Sequence, residues 1–340
     1  MESIIAYTHN ELKDLFVKYG LKRYRAIQVL DWIYNKKVYD FALMSNISKE
    51  DQELLKKAFT LDLPEIVTKL VSKDGTVKYL FRFEDGSMVE SVLMDYDYGT
   101  SICISSQSGC KMGCSFCASS KVSFNRSLKG YEMTGQILKA SLDSNKIIAR
   151  CVVMGIGEPF DNYENLLNFL RVINMKEGFN LGGRRITVST CGIVPKIYEF
   201  ADLGLQVNLS VSLHEVTDEA RSRIMPINKK YPIAELIEAC EYYFKTTNRR
   251  VSFEYALIPG QNDSFEHARK LCDLLKGVMC YVNVIPVNPI EGALGKEENS
   301  HNMSVFCAIL KEKGVPVTIR RELGRDINAA CGQLRRKYDI

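Results

Sequence analysis

A regular alternation of amphipathic and apolar segments in the later part of the chain constrains the fold more than any other feature. Amphipathic patterns with helical spacing fall near residues 131–145, 162–174, 193–203, 233–246, 264–276 and 303–313. Short apolar runs between them predict strands at residues 150–154, 185–189, 207–212, 251–257, 282–287 and 315–320. Repeated β–α units of this length predict a parallel sheet covered by helices, open or closed into a barrel. Binding sites in such folds gather at the C-terminal ends of the strands.

The first part of the chain follows different patterns. Residues 10–59 carry apolar side chains at helical spacing, and Pro64 ends this helical region. Strand-like runs follow at residues 66–72, 77–83, 88–94 and 101–105, and glycine-containing turn sequences between them indicate hairpins. We therefore predict a helical N-terminal domain at residues 1–62, a β-hairpin connector at 63–98 and an α/β domain at 99–340.

Composition argues against a secreted or membrane protein. Hydrophobic residues make up 46% of the 340 and charged residues 25%, as in soluble proteins with a sizeable core. The N-terminus lacks the pattern of a signal peptide, and we find no apolar run of about 18 residues, so no membrane partner is expected. Eleven cysteines without a secretion signal favour a reducing cytoplasm. The net charge of +4 is modest, and short basic clusters such as Arg184-Arg185 suit either phosphate contacts or a solvated face.

Three cysteines lie within eight residues: Cys110, Cys114 and Cys117. Three thiolates can converge on one metal centre but leave an ordinary four-cysteine iron–sulfur site incomplete. A structural zinc site or three neighbouring core cysteines are the alternatives, and zinc sites usually add a second cysteine pair that this chain lacks. The spacing resembles that of radical S-adenosylmethionine (SAM) enzymes. That resemblance implies a 4Fe–4S cluster whose open iron is chelated by SAM.

Polar residues follow several of the predicted strands. The strand at 150–154 runs into a glycine-rich turn that contains Gly157 and Glu158, whose carboxylate can accept hydrogen bonds from a cationic amine. Alone this turn is a weak signal, and His214 is equally readable as a satisfied structural histidine. The turn resembles the SAM-binding segment of radical SAM enzymes. The cofactor-binding candidates are Gly157, Glu158, Ser189, Ser212, Leu213, His214 and Asn288.

An ordered set of longer motifs resembles the RlmN/Cfr family of radical SAM RNA methyltransferases, which modify adenine. The match spans nearly the whole chain. Its motifs are Ser-Gln-Ser-Gly before Cys110, Gly157-Glu158-Pro159, residues 185–190, Ser212-Leu213-His214, residues 225–232, residues 262–267 and residues 329–334. The family implies a partial (β/α)6 radical SAM barrel preceded by a small helical domain that contacts RNA.

The resemblance also implies a reaction and assigns residues to it. Carbon 2 of adenine is electron-poor and cannot attack the SAM methyl group directly. Family members first methylate a cysteine, here Cys331; a radical generated from a second SAM then activates that methyl group, which adds to the base. Cys103 then resolves the protein–RNA adduct and leaves a transient disulfide, and Glu90 matches the family's proton acceptor. Which of Cys103 and Glu90 takes the ring proton stays open, and without the family Glu90 reads as a strand carboxylate and both cysteines as inert.

The expected substrates are an adenosine of 23S ribosomal RNA and tRNA beside the anticodon, with an electron donor such as flavodoxin or ferredoxin. Three motifs favour the RlmN-like branch over the Cfr-like branch, which methylates carbon 8. A non-catalytic RNA-binding relative is the remaining alternative. Two departures stand out: Ser119-Ser120 follows Cys117-Ala118 where many relatives have threonine and glycine, and Asn328 replaces a common aspartate.

Overall fold

The computed structural model describes residues 1–286 and 300–329. Two predicted site residues, Asn288 and Cys331, therefore lie outside the described residues.

Ten strands form one sheet, and their order across the sheet is the same as their order along the chain. Their bounds are β1 Glu65–Val71, β2 Val77–Arg82, β3 Met88–Tyr96, β4 Gly99–Ile104, β5 Ile148–Val153, β6 Ile186–Thr190, β7 Asn208–Ser212, β8 Val251–Leu257, β9 Cys280–Pro286 and β10 Val317–Ile319. Neighbours from β1 to β4 are antiparallel, and neighbours from β4 to β10 are parallel. Right-handed crossovers that always step in the same direction place their helices on one face, so the sheet curls toward a barrel. The predicted partial barrel is confirmed.

The ten α-helices in the described residues cover the outer face and build the N-terminal region. They are α1 His9–Lys18, α2 Arg25–Leu30, α3 Lys49–Ala58, α4 Gly130–Ser144, α5 Tyr163–Asn174, α6 Val194–Asp202, α7 Asp218–Ile224, α8 Ile233–Thr247, α9 Phe265–Leu274 and α10 Ser300–Glu312. The largest apolar cluster lies between the sheet and the helices from α4 onward. None of the helices in the described ranges is long and apolar enough to cross a membrane.

The N-terminal helices have a core of their own that leans on the barrel. Phe16, Ile33 and Leu55 are fully buried in it, and Leu138 of α4 joins the same cluster. The first helix begins with a reciprocal capping box, in which the Thr8 side chain and the Glu11 carboxylate each accept a backbone N–H. The packing of Leu138 in this cluster holds the helical region against the outer face of the barrel.

The antiparallel strands present two chemically different faces. Their helix-facing side chains, such as Tyr79 of β2 and Ile102 of β4, belong to the main core. The register places Lys78 of β2 opposite Val92 of β3, and Val92 opposite Cys103 of β4. Since paired residues point to the same side of a sheet, these three side chains share the inner face of the barrel.

Candidate functional site

An open cavity of about 1020 Å³ lies at the C-terminal ends of β5 to β9. It is where the parallel topology leads one to expect a binding site. Eight predicted residues line it: Cys110, Cys114, Cys117, Gly157, Glu158, Ser189, Ser212 and His214. Segments far apart in the sequence thus converge on one space.

The loop between β4 and α4 carries the three cysteines along one wall of this cavity. The Ser115 N–H donates to the Ile224 carbonyl over 3.0 Å, which fastens the loop to the end of α7. The Ser120 hydroxyl lies 2.6 Å from the carbonyl oxygen of Cys114 and 2.7 Å from that of Cys117. Ser120, one of the two departures from the family pattern in this loop, therefore closes the turn between these cysteines.

The three thiols of this loop are partly buried at the cavity and fit the ligand set of an iron–sulfur cluster. Burial raises the pKa of Cys110 to about 12 and also raises the pKa of Cys114, so both thiols keep their protons until a metal displaces them. Within the described part of the chain, no three His, Cys, Asp or Glu side chains lie close enough together to hold one ion. A structural zinc requires such convergence, whereas the cysteines of a 4Fe–4S cluster each bind a different iron.

The turn after β5 places a carboxylate against the cavity. Gly157 has φ +106°, and an added Cβ would come within 2.5 Å of the Gln107 side chain, so this position requires glycine. The Gln107 side-chain carbonyl accepts the Glu158 N–H over 2.9 Å, which ties the turn to the cysteine loop. Gln107 belongs to the Ser-Gln-Ser-Gly motif before Cys110, and this contact gives it a structural role that the motif alone does not indicate.

The Glu158 carboxylate is held by backbone donors. Its Oε1 accepts the Phe160 N–H at 3.0 Å and its Oε2 accepts the Cys191 N–H at 2.7 Å. Burial raises the pKa of Glu158, although these two N–H groups act in the opposite direction. Each carboxylate oxygen can accept a further hydrogen bond, so the group remains able to receive a cationic amine from the cavity.

His214 is fixed in one tautomer by the strand beside it. Its φ of +58° is uncommon for a residue with a side chain. The Ala256 N–H donates to Nδ1 over 2.9 Å, so the neutral ring carries its proton on Nε2. Burial, with the nearby Arg221 charge, lowers the pKa of His214 from 6.5 to about 3. The ring is therefore a neutral hydrogen-bond donor at the cavity wall.

This lowered pKa predicts a stability loss in acid. The folded protein does not protonate His214 until about pH 3, whereas the unfolded chain does so as the pH falls through 6.5. The stability that comes from keeping His214 neutral is fully present above pH 6.5 and is lost as the pH falls below it. From pH 7 to pH 5 the free energy of unfolding should therefore fall by about 2 kcal/mol more in the wild type than in His214→Asn. Asparagine tolerates positive φ and can still accept the Ala256 N–H. Urea unfolding at both pH values measures the difference, and parallel losses in the two proteins would contradict it.

Among the described cofactor-binding candidates, Leu213 is the one whose side chain does not line the cavity. Its side chain is fully buried in the main core. Its carbonyl, with those of Ser212 and Cys191, accepts hydrogen bonds of 2.8 to 3.0 Å from the buried guanidinium of Arg221. Arg221 thus sets the path of two strand ends, a function that its sequence position in a short polar helix did not reveal.

A second carboxylate at the cavity was also missed by the sequence patterns. Glu254 of β8 lines the cavity and is buried, and its Oε1 accepts from Ser210, Ser252 and Asn283. The Arg320 guanidinium lies 3.6 Å from its Oε2. The sequence does contain one signal for this carboxylate, since Glu254 is the single charged residue in the otherwise largely apolar strand at residues 251–257.

The other predicted catalytic residues lie beside this cavity on the inner face of the barrel. Cys103 is buried in a small apolar cluster with Val92, Leu323 and Ala329. Met154 packs on that cluster and also lines the cavity. Glu90, on the same face of β3, is buried 3.3 Å from the Lys78 ammonium. The chain just before Cys331 therefore reaches Cys103, although Cys331 itself is outside the described residues.

Comparison with known proteins agrees with this geometry. The model of the radical SAM superfamily matches residues 104–272, and that of the ribosomal RNA large subunit methyltransferase N-terminal domain matches residues 3–61. A probable dual-specificity RNA methyltransferase RlmN of Clostridium novyi (strain NT) is 49% identical over 339 residues, covering 99% of each chain. Its counterpart in Geobacillus thermodenitrificans (strain NG80-2) is 48% identical over 99% of this chain and 93% of its own.

The chain belongs to the RlmN/Cfr family of radical SAM RNA methyltransferases.

A solved structure extends the likeness to the whole fold. The crystal structure of a radical SAM methyltransferase from Sphaerobacter thermophilus superposes with a TM-score of 0.94 at 41% identity, covering 98% of this chain and 99% of that one. Membership of the RlmN/Cfr family implies a 4Fe–4S cluster and SAM as cofactors. The residues present fit both, since three thiols and the Glu158 carboxylate face one cavity.

Proposed function

We propose that this protein methylates carbon 2 of an adenosine in 23S ribosomal RNA, and of tRNA beside the anticodon. The observation that carries the proposal is the placement of Cys103 and Ala329 in one small apolar cluster next to the cavity. Two further residues reach Cys331, a span of at most roughly 7 Å in extended chain. Methyl transfer through a protein thioether requires a cysteine that carries the methyl group and, beside it, a cysteine that resolves the adduct. The dual-specificity names of the relatives agree with both RNA substrates.

The cofactors would occupy the cavity with the cysteine loop on one side and the strand ends on the other. Cys110, Cys114 and Cys117 would hold the cluster, which supplies the electron that cleaves SAM and so starts the radical chemistry. Gly157, Glu158, Ser189, Ser212, Leu213, His214 and Asn288 would bind SAM, Leu213 through its backbone. An electron donor such as flavodoxin or ferredoxin would deliver that electron.

Three residues of the inner face would handle the methyl group and the RNA. Cys331 receives the methyl group and presents it to the base. Glu90 accepts the proton from carbon 2 once the carbon–carbon bond has formed. Cys103 then attacks the Cys331 sulfur as a thiolate, so that a disulfide forms as the bond between this sulfur and the new methylene carbon breaks. That carbon keeps the bonding electrons and takes up a proton, which makes it the methyl group. The electron left over from the radical addition would return to the cluster that supplied it.

The helical region at residues 1–62 would contact the RNA together with basic pairs such as Arg184-Arg185. Single-stranded or looped RNA presents splayed bases and phosphates, which these groups can bind. That region is fixed to the barrel by buried contacts, so RNA bound there would have a defined position relative to the cavity.

The modified base tests the proposal. Protein carrying its cluster is reduced and incubated with SAM and with 23S ribosomal RNA or tRNA, and the digested RNA is examined by mass spectrometry against synthetic standards. We expect 2-methyladenosine in both RNAs. A product that is mainly 8-methyladenosine would instead show Cfr-like chemistry. Unmodified RNA together with uncleaved SAM would show a non-catalytic RNA-binding protein.

A further inference from the structure

Lys78 lies between the predicted catalytic residue Glu90 and the stretch of chain that leads to Cys331. Its ammonium lies 3.3 Å from Oε1 of Glu90, and the two side chains are only 10% and 6% exposed. The same ammonium donates to the backbone carbonyl of Asn328 over 3.1 Å. One side chain thus contacts both the Glu90 carboxylate and the main chain three residues before Cys331.

The turn between β1 and β2, residues 72–76, holds the same stretch of chain. We name residues 323–329 the C-terminal segment. The Ser72 hydroxyl donates to Asp326 over 2.5 Å, and the Lys73 N–H donates to the other oxygen of that carboxylate over 3.2 Å. In the reverse direction, the Gly324 N–H donates to the Asp74 carboxylate over 2.8 Å. The hairpin turn therefore holds the C-terminal segment through three hydrogen bonds.

The backbone of the C-terminal segment is shaped for this attachment. Gly324 and Asn328 both adopt the left-handed conformation, with φ +65° and +51°. An added Cβ at Gly324 would approach Ala329 to 2.7 Å and Thr76 to 2.9 Å, so glycine permits the close contact with the hairpin turn. Asparagine is among the few residues that accept this conformation readily, which gives a physical reason for Asn328.

A buried ion pair of this kind has a use other than stability. Desolvating an ammonium and a carboxylate costs free energy that their attraction seldom repays, so such a pair is weak evidence for a stabilising role. In some proteins such a pair instead fixes the relative position of the groups it joins. The Lys78 ammonium provides three N–H donors on one atom, and it uses them here to hold a side chain and a backbone carbonyl at a set separation.

We propose that Lys78 is a positioning residue, which holds the Glu90 carboxylate and the backbone leading to Cys331 so that both face the same adenine. The proposal rests on the proposed function for the roles of Glu90 and Cys331. The hairpin of β1 and β2 is then a clamp for the C-terminal segment rather than a passive connector. Misplacing Cys331 would slow the delivery of the methyl group to the base, and misplacing Glu90 would slow proton removal after the carbon–carbon bond has formed. The binding of RNA would be unaffected.

The attachment is tested first without RNA. Hydrogen–deuterium exchange is measured at residues 323–329 in the wild type, in Lys78→Met and in the control Lys69→Met. Lys69 lies on the neighbouring strand β1, but its ammonium pairs with Asp143 of α4 on the other face of the sheet. We expect faster exchange of the segment in Lys78→Met alone. Unchanged exchange in Lys78→Met would overturn the proposal whether or not the protein methylates RNA.

The catalytic consequence is tested with the active enzyme. We expect Lys78→Met to lower turnover by about tenfold to a hundredfold, because small displacements of reacting groups have effects of this size. The KM for RNA should stay unchanged, and Lys78→Arg should restore part of the turnover. Wild-type turnover in Lys78→Met, or a raised KM with normal turnover, would overturn the positioning role. Asp326→Ala, at an exposed position, provides the same exchange and turnover tests if Lys78→Met does not fold.

A wild-type protein that leaves RNA unmodified would defeat the proposed function. The exchange experiment would still decide the attachment of the C-terminal segment.

Discussion

Cys331→Ala is expected to assemble a full cluster and to bind SAM, yet to transfer no methyl group to RNA. The proposed reaction passes through a methyl group carried on the Cys331 sulfur, and alanine offers no atom to carry it. Cluster assembly should survive because Cys110, Cys114 and Cys117 lie in a separate loop. Iron and sulfide content, SAM binding and methylated adenosine in RNA are the three measurements.

A matched control for this variant is Cys272→Ala. Cys272 is a buried cysteine of α9 in the main core, remote from the cysteine loop in the sequence and absent from the cavity wall. Normal methylation is expected from it. Methylated RNA from Cys331→Ala at the wild-type level would remove the thioether step from the proposed reaction, and loss of iron would mean that the substitution perturbs the fold.

Cys103→Ala should instead halt the reaction after the RNA has become attached to the protein. Methylation of Cys331 and addition to the base do not use the Cys103 thiol, but release does. Cys103 packs with Val92, Leu323 and Ala329, so alanine removes the sulfur and leaves a contact surface of similar shape. A ribonuclease-sensitive band of raised mass on a denaturing gel, with little free 2-methyladenosine, is the expected result.

Cys151→Ala is the control for this second variant. Cys151 lies on the adjacent strand β5 and pairs with Ile102, the residue before Cys103. Its side chain therefore points to the opposite face of the sheet from Cys103, where it is fully buried against the helices. It should release methylated RNA normally, although removing a buried sulfur costs stability of about 1 kcal/mol. Normal turnover by Cys103→Ala would show that another group resolves the adduct.

Local patterns in the sequence predict the parallel strands and their order, whereas the partial barrel is an expectation from the family resemblance. The strand at residues 251–257 has the predicted bounds, and the other parallel strands shift by a few residues. The short helix α7 was not predicted because its seven residues are mostly polar and show little periodicity. Its Thr217 cap, which accepts the Ala220 N–H, is the local signal that was available.

Contacts between distant residues were the part that the sequence could not provide. The spacing of Cys110 and Cys114 and the glycines beside Glu158 identify these residues as site candidates. Lys78 reads as an ordinary strand residue, and its importance depends on a carbonyl 250 residues away. Gln107 similarly acts through a residue 51 positions distant. Such pairings depend on the register of strands and loops, which no local pattern encodes.

The strand order has a consequence for biosynthesis. Because each of the ten strands pairs with its predecessor, the sheet can assemble in the order in which the ribosome delivers it. The final stretch must then return to a hairpin made 250 residues earlier, and closing so long a loop is slow. A nascent chain would thus form its sheet before its C-terminal segment is attached, and translation that stops before residue 331 would release a compact protein without the proposed methyl carrier.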